Sequence, residues 1–144
     1  MKLITHLGVA LMVLGAVAAA PAHAQTNCSN SSLSGDYAIT ITGAILGGPS
    51  AGPVNGVNLT HFDGGGGLTS VDHVIINGVV PGAEWRAAVG TYTLNANCTG
   101  QASFTYPDGQ SPGLSYFFVL HNSQMDIVVS TPGFNITATG TERQ

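Results

Sequence analysis

Residues 89–104 read VGTYTLNANCTGQASF. Val89, Thr91 and Thr93 alternate with Gly90, Tyr92 and Leu94, a period of two. After the turn-rich run Asn95-Ala96-Asn97-Cys98-Thr99-Gly100, Ala102 and Phe104 alternate with Gln101 and Ser103. Two alternating runs around a short Asn/Gly-rich connection predict a β-hairpin. A hairpin at the centre of a chain needs strand neighbours on both sides, because unpaired edges are pairing hazards. The flanking sequence supplies them, and no segment shows helical periodicity with caps.

The same reading predicts strands over residues 37–41, 57–62, 68–76, 85–94, 100–106, 114–121, 124–130 and 134–141. Asp63-Gly64-Gly65-Gly66-Gly67 and Asn77-Gly78 are turns, as are Asn122-Ser123 and Thr131-Pro132-Gly133. Glycine supplies the positive φ that tight hairpin turns need. Residues 43–53 (GAILGGPSAGP) are rich in Gly and Pro and are expected to form a loop. The predicted class is therefore all-β: eight antiparallel strands in up-and-down order, closing into a barrel. A two-sheet β-sandwich is the alternative.

Residues 1–24 are expected to lie outside that fold. Lys2 precedes an apolar run over residues 7–20, and Ala22-His23-Ala24 places small residues where a signal peptidase reads them. This predicts a cleaved signal peptide over 1–24, a single domain over 25–144 and a secreted or periplasmic protein. The apolar run has 14 residues, short of the roughly 20 a membrane span needs. Residues 25–144 carry seven acids and two arginines, a formal charge of 2 − 7 = −5. That balance argues against nucleic acid or an anionic membrane surface as partner. Charged residues are 7% of the chain, so its polar surface has to come from Thr, Ser, Asn and Gln. The two cysteines of an exported chain, Cys28 and Cys98, are expected to pair. Strands of an outer-membrane barrel need about 9–11 residues each; those predicted here are mostly shorter.

Four groups of residues carry a resemblance: Cys28-Ser29-Asn30-x-Ser32-Leu33-x-Gly35-x-Tyr37, Phe62-Asp63-Gly64-x-Gly66, Gly90-Thr91-Tyr92-Thr93-x-Asn95-x-x-Cys98-Thr99-Gly100, and Thr139-Gly140-Thr141-x-Arg143-Gln144. Together the sequence resembles small exported bacterial proteins of unknown function, over nearly all of residues 25–144. At fold level that group resembles the calycin-like barrels of allene oxide cyclase and dirigent proteins. The resemblance implies a barrel. It carries over no catalytic residue, because its motifs are turns and cysteines and fold does not imply function.

An eight-stranded barrel has room inside for side chains or for one small ligand. On the predicted sixth strand Leu114, Tyr116, Phe118 and Leu120 share one face, and Ser115, Phe117, Val119 and His121 the other. Both faces are largely apolar, which leaves open which one lines the interior. Trp85, Tyr116 and Phe118 are the candidate ligand-binding residues, with core or rim packing as the alternative. Asp126 interrupts an apolar run and shares a face with Val128. Asp72 sits between Val71 and His73. Either aspartate is a candidate acid or base if its face is interior, and a solvated charge if it is not. Arg86 is the only basic residue inside a predicted strand, placed to neutralise such an acid, to bind a carboxylate ligand or to lie on the surface. His61, His73 and His121 form no HxH or HExxH motif. The sequence points to no metal or other cofactor.

Three functions follow as expectations. The first is a barrel that binds a small apolar molecule. The second is a cyclase or isomerase of the allene-oxide-cyclase-like barrel type, with Asp126, Asp72 or Arg86 in acid–base roles. The third is a non-catalytic surface module that forms homo-oligomers through an apolar outer face.

Overall fold

Strand alternation, once neighbours are assigned, decides which residues go in. The structure is a computed structural model, and it describes residues 27–107, 109 and 112–144. The signal peptide expected over residues 1–24 lies outside the described residues. A single 3-10 turn, Asn30–Ser32, leads into eight strands: β1 (Ser34–Ile45), β2 (Gly52–Asp63), β3 (Gly67–Ile76), β4 (Arg86–Leu94), β5 (Thr99–Thr105), β6 (Leu114–His121), β7 (Gln124–Val129) and β8 (Phe134–Glu142). Each pairs antiparallel with the next, and β8 returns to β1, so the sheet is a closed barrel. The closing ladder runs from Tyr37 opposite Glu142 to Ile45 opposite Phe134. This is the expected up-and-down barrel, and that closing ladder excludes the sandwich. Among the described residues no helix is long and apolar enough to cross a membrane.

The expected loop over 43–53 is a correction. β1 continues to Ile45 and β2 begins at Gly52, leaving only residues 46–51 between them. Gly and Pro weaken an isolated strand. Here the backbone is held by two ladders at once, to β2 and to β8. Gly43 is required there: a Cβ would lie 2.2 Å from the carbonyl oxygen of Asn135 and 2.6 Å from Ile136 Cα. The residue read as a strand breaker is what lets β8 approach closely enough to close the barrel.

The barrel has two unlike ends. The β2–β3, β4–β5 and β6–β7 turns lie at the closed end, which is packed solid. Phe62 is fully buried there, with Tyr37 and Tyr92 edge-on to it at centroid distances of 5.5 and 5.1 Å. Leu33 and Met125 are also fully buried. The segment before β1 plugs this end. The Tyr92 hydroxyl donates to the carbonyls of Leu33 (2.7 Å) and Asn30 (3.1 Å), and Asn30 Oδ1 accepts from the Leu94 N–H at 2.8 Å. The expected Cys28–Cys98 disulfide fastens the plug to the β4–β5 turn. Gly100 faces Phe118 across the β5–β6 ladder, and the phenyl ring occupies the space a Cβ would take, 2.2 Å from that position.

Candidate functional site

Above this plug the inward-facing residues no longer fill the space. A cavity of about 460 Å³ remains, lined by strands of the whole barrel and by its four other connections. Most of its wall is aliphatic, including Ile39, Ile41, Val74, Ile127, Val129 and Ile136. Each connection at the mouth contributes a proline to the lining: Pro49, Pro81, Pro112 and Pro132. Proline holds φ near −65°, which fixes one backbone angle in each of these connections.

One side of the wall is polar. Asn58 lies opposite Asp72 in the β2–β3 ladder, and Asp72 lies opposite Arg86 in the β3–β4 ladder. Pairing therefore sets the three side by side on the inner surface. Arg86 donates from Nε to Asp72 Oδ1 at 2.7 Å and from Nη2 to Asp72 Oδ2 at 3.1 Å, a bidentate pair. The Tyr106 hydroxyl donates to Asp72 Oδ2 at 2.5 Å and accepts from Arg86 Nη2 at 3.1 Å. The guanidinium carbon also lies 4.6 Å from the Tyr106 ring centroid. Asp72, Arg86 and Tyr106 are 3%, 9% and 5% exposed. Charges this deep in a protein persist only when paired, and this pair is. Beside it, Asn58 donates to Ser70 Oγ (2.6 Å) and accepts from the Thr60 hydroxyl (2.5 Å), and the Thr60 and Ser70 hydroxyls are 3.2 Å apart.

Tyr116 lines the cavity from β6. It is 6% exposed, with its ring 6.2 Å from Phe104 and 6.1 Å from Phe118. Burial pushes its phenol well above the usual tyrosine range. At neutral pH it is therefore a neutral hydrogen-bond donor.

The candidates read from the sequence separate. Asp72, Arg86 and Tyr116 all line the cavity. Phe118 faces inward but belongs to the packed core near Gly100. Trp85 lies outside, 57% exposed, with its ring 5.6 Å from that of His73. Asp126 is also outside: Met125 and Ile127 take the inner face of β7, and Asp126 bonds His121 Nε2 at 2.9 Å in solvent. It is a solvated strand charge. His61 pairs with Asp36 at 2.8 Å on the outer face, and the His73 Nδ1–H donates to the Glu84 carbonyl. Among the described residues no group of three His, Cys, Asp or Glu side chains is placed to hold a metal.

Four inward-facing polar residues escape a motif search: Asn58, Thr60, Ser70 and Tyr106, of which Asn58, Thr60 and Tyr106 line the cavity and Ser70 bonds the first two. A signal for the first three exists. Asn58 and Thr60 share the parity of Val54 and Phe62, and Ser70 and Asp72 that of Leu68 and Val74, so polar residues stand at core positions of two adjacent strands. Tyr106 follows the last residue of β5 and has no such marker. Comparison with protein-family models, curated proteins and solved structures finds no significant match to this chain.

Proposed function

We propose that the barrel is a holder for one small, mainly apolar molecule, bound in the open half of its interior. The single observation that carries this is the cavity of about 460 Å³ above a solid plug. Ligand pockets run to about 300–1,000 Å³, with mostly apolar walls and a few placed polar groups. At ~30 Å³ per water, 460 Å³ corresponds to about 15 waters. Water on that scale against an aliphatic wall is displaced favourably by an apolar solute, at about 0.8 kcal/mol per buried CH₂.

A cyclase or isomerase needs a group with a proton to move at the ligand. The Asp72–Arg86–Tyr106 cluster directs its phenolic proton and its guanidinium bonds at its own carboxylate. That arrangement favours a structural wall over an acid–base pair, and with it the binding reading. The test is mass spectrometry of the exported, disulfide-bonded protein, first native and then denatured. Release of a discrete small molecule on denaturation is expected. A clean apo mass, unchanged after incubation with aliphatic solutes, would overturn the reading.

A further inference from the structure

The polar groups of the cavity also constrain the chemistry of its occupant. This rests on the ligand-holding reading above. We infer that the cavity selects an uncharged, mainly aliphatic molecule carrying one hydrogen-bond-accepting oxygen, received by the Tyr116 hydroxyl, and that it rejects carboxylates.

The exclusion comes from the paired charges. Arg86 gives Nε and Nη2 to Asp72, and Nη2 also to the Tyr106 hydroxyl, so its Nε/Nη2 edge is already occupied. A carboxylate entering the cavity would lose its hydration and meet no uncompensated positive charge in return, because Asp72 already neutralises Arg86. Arg143, the other arginine, is exposed and does not line the cavity.

The oxygen comes from Tyr116. Its side chain is inward-facing and more than nine-tenths buried on the cavity wall. Among the described residues its hydroxyl has no hydrogen-bond partner, and no buried side-chain polar atom is shut away from both solvent and partner. The hydroxyl therefore opens on the cavity, where a partner has to come from what fills it. With its phenol pKa raised, Tyr116 offers a proton donor that stays neutral. A ketone, ester, ether or alcohol oxygen satisfies it without bringing a charge. Much of the rest of the cavity wall, including Ile39, Ile127 and Val129, is hydrocarbon.

The test uses the full disulfide-bonded protein and three probes of equal chain length: dodecan-2-one, dodecane and dodecanoate. Binding is read by native mass spectrometry and by the rise in melting temperature at pH 7. The ketone is expected to bind at least about tenfold more tightly than dodecanoate. Tyr116→Phe removes only the hydroxyl. It is expected to weaken the ketone by about tenfold, the scale of one lost hydrogen bond, and to leave dodecane unchanged. Dodecanoate binding as tightly as the ketone would overturn the inferred class while leaving the ligand-holding reading intact. An equal ketone affinity in Tyr116→Phe would overturn the role of Tyr116. Binding of none of the three would refute the holding reading and this inference together.

Discussion

Replacing Arg86 by Met tests whether the cavity wall is held by its charge pair. Methionine keeps most of the side-chain length and removes the guanidinium. Asp72 then loses two charge-assisted bonds, of 2.7 and 3.1 Å, and keeps the one from Tyr106. The carboxylate is 3% exposed, so little water reaches it to replace what is lost. Breaking a buried pair from one side costs about 3–5 kcal/mol, because an uncompensated charge stays behind. That is a large share of the 5–15 kcal/mol by which native proteins are stable. Equilibrium urea denaturation followed by circular dichroism, with the disulfide intact, measures the loss. The matched variant is Asp72→Leu/Arg86→Met/Tyr106→Phe, which removes both charges and the hydroxyl they hold. It is expected to recover most of the loss, since replacing a whole buried pair with apolar groups is often neutral. Two results would refute the reasoning: a loss under 1 kcal/mol in the single variant, or a triple variant no more stable than the single.

Two further predictions concern the closed end. The disulfide closes a loop with a sequence separation of 70; in the chain-entropy relation this stabilises by roughly 4 kcal/mol. Cys28→Ser/Cys98→Ser should lose about that amount in the same denaturation assay, and an unchanged midpoint would mean that the plug holds without its staple. Asp63 Oδ1 accepts the backbone N–H groups of Gly65, Gly66 and Gly67 at 2.7–2.9 Å, and these bonds lower its pKa. Its contribution to stability is therefore fully present above the ordinary aspartate value of about 3.9 and is lost as pH falls through the lower folded value. Carboxyl NMR should place its titration below that of an unperturbed aspartate, and Asp63→Asn should flatten the acid limb of the melting curve. A midpoint at or above the ordinary value would contradict the turn geometry.

Much of the barrel was readable because its strands are separated by turns that announce themselves, such as 63–67 and 122–123. The glycine turn alone places His61 opposite Leu68 or Thr69, and the ladder pairs it with Thr69. What alternation leaves undetermined is the absolute sense of inside and outside. Asp72 and Asp126 look alike along the chain, each a single acid among β-branched residues. One lies against Arg86 in the interior and the other faces solvent, and only cross-strand register tells them apart. Counting polar residues at core parity on two adjacent strands would have moved weight to Asp72, through Asn58, Thr60 and Ser70. The extra length of β1 and β2 was hidden for another reason. Propensity disfavours the Gly- and Pro-rich 43–53 stretch as a strand, and the pairing that overrides it comes from β8, at the far end of the chain.

That pairing also sets when the protein is most exposed to misassembly. The outer face carries large apolar side chains, among them Phe117 and Val128 directly opposite each other on β6 and β7, 57% and 56% exposed. Once the barrel is closed, copies meet there by side-chain contact, because among the described residues every strand has two neighbours and the sheet has no edge strand to template another chain. The seal joins distant parts of the chain, with Tyr37 paired to Glu142, 142 − 37 = 105 residues later. Until residues 134–142 arrive, β1 and the most recently formed strand both present open edges beside exposed hydrophobic surface. A chain shortened at its C-terminus by the length of β8 would stay in that state permanently, and aggregation is its expected fate.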